Sequence, residues 1–146
     1  MKAFGMNKGQ GAGGAAAALL AIGLAAASTW PAPARAQALD ANGIGRTEIV
    51  RHDYDATREA IQVRVDFGPG ASFPRHSHPG VEIAYVLQGT MEYALNGKQV
   101  VLKAGESLYI PAGAVHSAKN LGSGNAVELA TYVVDKNKPI VILEQH

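Results

Sequence analysis

The stretch Gly70 to Gly89, GASFPRHSHPGVEIAYVLQG, constrains this chain more than any other. His76 and His78 alternate, Glu82 follows four positions after His78, and glycines stand at both ends. In an extended strand, side chains two apart share a face, so His76 and His78 look the same way. A Pro79-Gly80 turn that restarts a strand at Val81 lets Glu82 face inward with them. Neutral imidazoles and a carboxylate converging on one point suit a borderline divalent ion. A fourth ligand is needed, and the second informative stretch, Gly105 to Asn120 (GESLYIPAGAVHSAKN), offers His116.

Together the two stretches resemble the paired signatures of the cupin superfamily. Gly70, His76, His78, Glu82 and Gly89 fill every fixed position of the first, G-x5-H-x-H-x3-E-x6-G. Gly105, Pro111, Gly113, His116 and Asn120 fill every fixed position of the second, G-x5-P-x-G-x2-H-x3-N. A lone HxH would be weak evidence; the pair, in order and at these spacings, is specific. The resemblance implies that His76, His78, Glu82 and His116 hold one divalent transition metal ion: iron, manganese, nickel, copper or zinc. It leaves one or two positions on that ion for substrate, water or dioxygen. It also implies a structural role for Asn120 near the site.

The N-terminus reads as an export signal. Lys2 and Lys8 precede the apolar run Ala15 to Ala27, and Ala34-Arg35-Ala36 offers small residues for cleavage before Gln37. The apolar run is shorter than the roughly 20 residues a membrane span needs. The expected organisation is therefore a signal peptide over 1–36, a flexible arm over 37–45 and one cupin domain over 46–146, located in the periplasm or secreted. Export before folding places metal loading outside the cytoplasm, which favours zinc or copper. At 146 residues the chain has room for one ordinary domain. It has no cysteine, which excludes disulfides, thiolate metal sites and a cysteine nucleophile. The whole chain has 13 basic and 12 acidic residues; removing 1–36 takes away three basic residues and no acid, leaving a formal −2. That balance argues against nucleic acid, or membrane after signal cleavage, as a partner.

Along the mature chain the pattern is all-β. Arg46 to Arg51 alternates weakly, and His52 to Asp55 reads as a loop, with His52 a solvated residue. Ala60 to Phe67 alternates clearly, with Ile61, Val63, Val65 and Phe67 on one face. The phase set by Glu82 puts Ala84 and Val86 on the metal side and Ile83, Tyr85 and Leu87 on the other. Asn96-Gly97 between two short apolar runs is a hairpin signal, and further strands follow at 107–110, 116–120, 127–134 and 140–143. Eight or nine short antiparallel strands read as a sandwich or a barrel, and the periodicity leaves the choice open. The cupin resemblance selects the small jelly-roll barrel and implies a homodimer. The apolar face carrying Ile83, Tyr85 and Leu87 gives a dimer something to cover. Tyr93 and Tyr109 are candidates for the cavity wall, although packing explains either, and Arg75 reads as a surface charge.

The motifs point to a metal-dependent enzyme acting on a small organic molecule, and the expectation is a dioxygenase of the quercetinase-like kind, with Glu82 shifting between ligand and catalytic base. The alternatives are a metal-dependent lyase or isomerase of a sugar acid or similar metabolite, and a non-catalytic module that binds a metal or small ligand. Fold-level likeness does not choose among them.

Overall fold

The computed structural model describes residues 38–144. The segment read as a signal peptide and the terminal His146 lie outside them. Ten strands form: β1 (Ile44–Asp53), β2 (Arg58–Phe67), β3 (Ser72–Ser77), β4 (Gly80–Gln88), β5 (Thr90–Leu95), β6 (Lys98–Lys103), β7 (Ser107–Ile110), β8 (His116–Asn120), β9 (Ala126–Asp135) and β10 (Ile142–Leu143). No helix occurs among the described residues. Two five-stranded antiparallel sheets face each other, ordered β1-β2-β9-β4-β7 and β10-β3-β8-β5-β6. This is the small jelly roll that the motif pair implied.

The alternation read from the sequence sets the core. Ile61, Val63, Val65 and Phe67 of β2 are buried, as are Ala84 and Val86 of β4. Burying each of the larger side chains stabilises the fold by about 1.5–3 kcal/mol. Asn96 and Gly97 both adopt positive φ (50° and 76°), the geometry that a tight β5–β6 hairpin requires. Asn120 is structural, as its motif position implied: its Nδ2 donates to Gly68 O (2.9 Å) and Gly124 O (2.7 Å), and its Oδ1 accepts from Gly122 N–H (2.8 Å).

β1 is longer than the sequence pattern indicated. Asp40 Oδ1 accepts the backbone N–H groups of Asn42 (2.8 Å) and Ile44 (3.0 Å), which stops the preceding segment and starts the strand at Ile44. Ile44 is buried and pairs opposite Phe67. At the other end, His52 and Asp53 continue the pairing with β2 instead of forming a loop, and His52 is exposed.

On the outer face of the first sheet, Ile83, Tyr85, Leu87 and Tyr109 are exposed, and Ile83 sits directly opposite Tyr109. Tyr109 therefore lies far from the interior, whereas Tyr93 is fully buried.

Gly80 opens β4 where its backbone touches β9. A Cβ there would lie 2.1 Å from Val133 O, with no flexible side chain to yield. Gly80→Ala is expected to cost about 3 kcal/mol, roughly 15 °C in thermal midpoint for a domain this size. Gly124→Ala meets nothing within 4 Å and serves as a near-neutral control in the same thermal unfolding measurement.

Candidate metal centre

The site joins the two sheets. His76 of β3 and His116 of β8 are direct cross-strand partners in the second sheet, and Glu82 of β4 pairs with Ile110 and Tyr132 in the first. His78 lies in the connection between β3 and β4, where the Pro79-Gly80 turn changes sheets. All four side chains are buried, and their ligand atoms lie within 4.8 Å of one another. Ligands about 2.1 Å from a shared ion sit roughly 3–4 Å apart, so small adjustments bring this set onto one ion.

Each imidazole is oriented by the backbone. Nδ1–H of His76 donates to Pro74 O (2.8 Å), that of His116 to Ala114 O (3.0 Å), and that of His78 to Ile140 O. A carbonyl only accepts, so Nδ1 carries the hydrogen and Nε2 is left with a lone pair aimed at the common point. His78 Nε2 lies 2.7 Å from Glu82 Oε2, and His116 Nε2 lies 3.2 Å from the same oxygen. Neither His78 Nε2 nor Glu82 Oε2 has a hydrogen-bond partner. Two buried lone-pair atoms at that distance repel each other unless a cation lies with them. Protons are a poor substitute for a metal ion here, because the rings crowd one another at centroid separations of 4.1–5.0 Å. Burial, then the neighbouring His116, push His76 down to about 4. Burial alone pushes the Glu82 carboxyl up, but hydrogen bonds from Nε2–H of His116 and His78, the arrangement open to the chain without a metal ion, hold it well below the usual carboxylate range. Three neutral imidazoles and one carboxylate, buried and preoriented, fit a single divalent ion.

Beside this cluster lies a second group that the motifs did not reveal. The Tyr93 hydroxyl donates to Glu128 Oε2 at 2.7 Å, and both residues are buried. Burial, then the nearby Glu82 carboxylate, push Glu128 up to about 8, so it carries a proton at pH 7. Burial and Glu128 push the Tyr93 hydroxyl far above its ordinary range. Tyr132 packs its ring against His78 at 4.9 Å and accepts from Arg46 Nη2 at 3.4 Å. Arg46, Glu128, Tyr93 and Tyr132 line one cavity with His76, Glu82 and His116. Of these additional groups, only Tyr93 was a sequence candidate. Glu128 belongs to β9, where the alternate phase Val127, Leu129, Thr131 and Val133 is as apolar as the true inward phase. Arg75, in contrast, is exposed and does not line this cavity.

The acid response of the metal-free chain follows from His76. It takes a proton near pH 4 when folded and near ~6.5 when unfolded. Between those values the unfolded chain binds more protons, so stability falls as pH drops from ~6.5 toward 4. Glu82, held low in the folded state, adds a loss of the same sign at more acid pH. After chelation the thermal midpoint is expected to be several degrees lower at pH 4.5 than at pH 7, with a smaller difference in His76→Gln. A midpoint indifferent to pH contradicts this.

Comparison with known proteins agrees with the geometry. The profile of the Cupin_2 family, described as "Cupin domain", matches residues 63–134. The oxalate-binding protein of Thermotoga maritima is 36% identical over 72 residues, covering 49% of this chain and 60% of that one. Oxalate oxidase 1 of Hordeum vulgare is 33% identical over 102 residues, covering 62% of this chain and 51% of that one. The structure of KdgF from Halomonas sp. superposes with a TM-score of 0.56 at 27% identity, covering 65% of this chain and 82% of that one. The chain thus spans only about a third to 60% of the length of the curated relatives it matches. Fold, paired motifs and converging ligands lead to one conclusion: this chain is a member of the cupin superfamily.

Proposed function

We propose that the chain is a metal-dependent enzyme that moves a proton on a small organic molecule, in the manner of a lyase or isomerase. The observation that carries this reading is Glu128, a buried carboxyl that accepts from the Tyr93 hydroxyl and lines one cavity with the metal ligands. His76, His78, Glu82 and His116 would hold the ion. When bound, the ion supplies Lewis acidity, which makes a proton next to a coordinated oxygen easier to remove. Tyr93 keeps its own proton and fixes Glu128 Oε2, and the Glu128 carboxyl also hydrogen-bonds with Glu82 beside the metal ligands. In the metal-free chain burial and the Glu82 carboxylate hold Glu128 protonated, and an ion that offset the Glu82 charge would ease its ionisation, so the group could deliver a proton and take one back as general acid–base catalysis requires. Glu82, the anionic neighbour, is the other catalytic carboxylate in this reading.

The oxidative alternative, the dioxygenase-like chemistry expected from the motifs, draws support from the likeness to oxalate oxidase 1. One experiment separates the two. Metal-loaded protein is incubated in D2O with small 2-hydroxy and 2-oxo acids and their neutral amides. Proton NMR follows exchange at carbon while an electrode follows dioxygen. Exchange without dioxygen uptake is expected, reduced about 100-fold or more in Glu128→Gln with metal content unchanged. Dioxygen uptake without exchange would favour the oxidative reading. Neither signal would leave capture without turnover, and both of these outcomes contradict the proposal.

Export and dimerisation belong to the same proposal. Lys2, Lys8 and the apolar run to Ala27 support a cleaved signal and a periplasmic or secreted protein. The exposed Ile83, Tyr85, Leu87 and Tyr109 support a homodimer through the outer sheet face. Expressed with its N-terminus intact, the exported protein is expected to begin near Gln37 by mass spectrometry and to sediment at twice its chain mass. An unprocessed cytoplasmic monomer contradicts both.

A further inference from the structure

Arg46 is a half-buried cation in the cavity that has no carboxylate partner. It occupies β1 in a row of direct cross-strand partners that runs Arg46, Val65, Glu128, Val86 across the first sheet. Partners in such a row share a face, so Arg46 stands on the side that carries Glu128. It lines the same cavity as His76, Glu82 and His116. Arg51, Arg58, Arg64, Lys136 and Lys138 all pair with carboxylates. Among the described residues Arg46 makes no such pair.

Its contacts are neutral ones. The guanidinium carbon lies 5.5 Å from the centre of the Phe73 ring, and Nη2 donates to Tyr132 Oη at 3.4 Å. These hold the fork in place and leave most of its five N–H donors unused, while its charge acts on the buried Glu128 carboxyl from beyond ion-pair distance. Tyr132 accepts from Arg46, and no acceptor for its own O–H occurs among the described residues. The two side chains therefore present a charged fork and a hydroxyl donor to whatever enters. A planar carboxylate matches the fork with two parallel hydrogen bonds. The enclosed space beside the cluster is small, about 20 Å³, which restricts any occupant to the smallest ligands.

We propose that Arg46, braced by Phe73 and Tyr132, receives the substrate carboxylate, so that the cavity takes small acids with a second oxygen donor to place at the four-ligand cluster. This rests on the metal-enzyme reading and names its substrate class. It is also the use for β1, a strand that contributes no metal ligand.

Calorimetric titration of the metal-loaded full chain tests it, with glycolate as probe and glycolamide as its uncharged counterpart. Metal content is measured on the same samples. Glycolate is expected to bind at least tenfold more tightly than glycolamide. Arg46→Gln is expected to lose at least tenfold in glycolate affinity and most of the preference, with one ion per chain retained. Arg46→Lys keeps the charge without the fork and is expected to fall between them, which also covers the case of a poorly folded glutamine variant. A metal-filled site with equal affinity for the two probes, or with glycolate affinity untouched in both variants, overturns the Arg46 proposal alone. A wild-type chain that takes up no metal overturns this proposal and the enzyme reading together.

Discussion

The structure depends on one electrostatic constraint. His78 Nε2 and Glu82 Oε2 are buried 2.7 Å apart, and neither has a hydrogen bond. Backbone carbonyls hold the imidazole protons on the far side of all three rings, so the near side offers only lone pairs. A divalent cation converts that repulsion into four attractive contacts, and it ties β3, β4 and β8 together across two sheets. Metal binding and fold stability are linked for this reason: what the ion gains in coordination, the interior gains in relief of unpaired charge.

The same arrangement sets the properties of its neighbours. Burial makes the Glu128 carboxyl resist ionising, and in the metal-free chain the anionic Glu82 adds to that. Tyr93 and Tyr132 stay protonated because burial and these carboxylates oppose phenolate formation. The cavity thus combines a cation site, a proton carrier and, at Arg46, a fixed positive fork. Each alone is common in proteins. Together they support the proposal that the site binds a small anion and works on a proton next to it.

The amino-acid sequence revealed the ligands because their constraints are local. His76 and His78 share a strand face at period two, and Glu82 restarts the same phase after a short turn. The clear alternation of Ile61 to Phe67 located β2, and Asn96-Gly97 located the hairpin. Glu128 and Arg46 stayed hidden for physical reasons. Both faces of β9 are apolar, one against the core and one half-buried on the outer side of the sheet, so periodicity could not assign the inward phase. β1 alternates weakly, and its start depends on Asp40 capping Asn42 and Ile44, a contact with no periodic signature. Tyr109 illustrates the opposite error: its residue type fitted a cavity wall, but its strand phase, opposite Ile83, puts it outside.

The central claim is that one ion lies among His76, His78, Glu82 and His116. X-ray absorption spectroscopy on the metal-loaded chain tests it most directly, with the bound metal quantified in the same sample. The account predicts one ion per chain, an absorption fine structure with the imidazole signature of three histidines plus oxygen, and loss of the ion in His78→Ala. A chain that retains no metal after loading, or an ion without imidazole ligands that survives His78→Ala, would contradict the account.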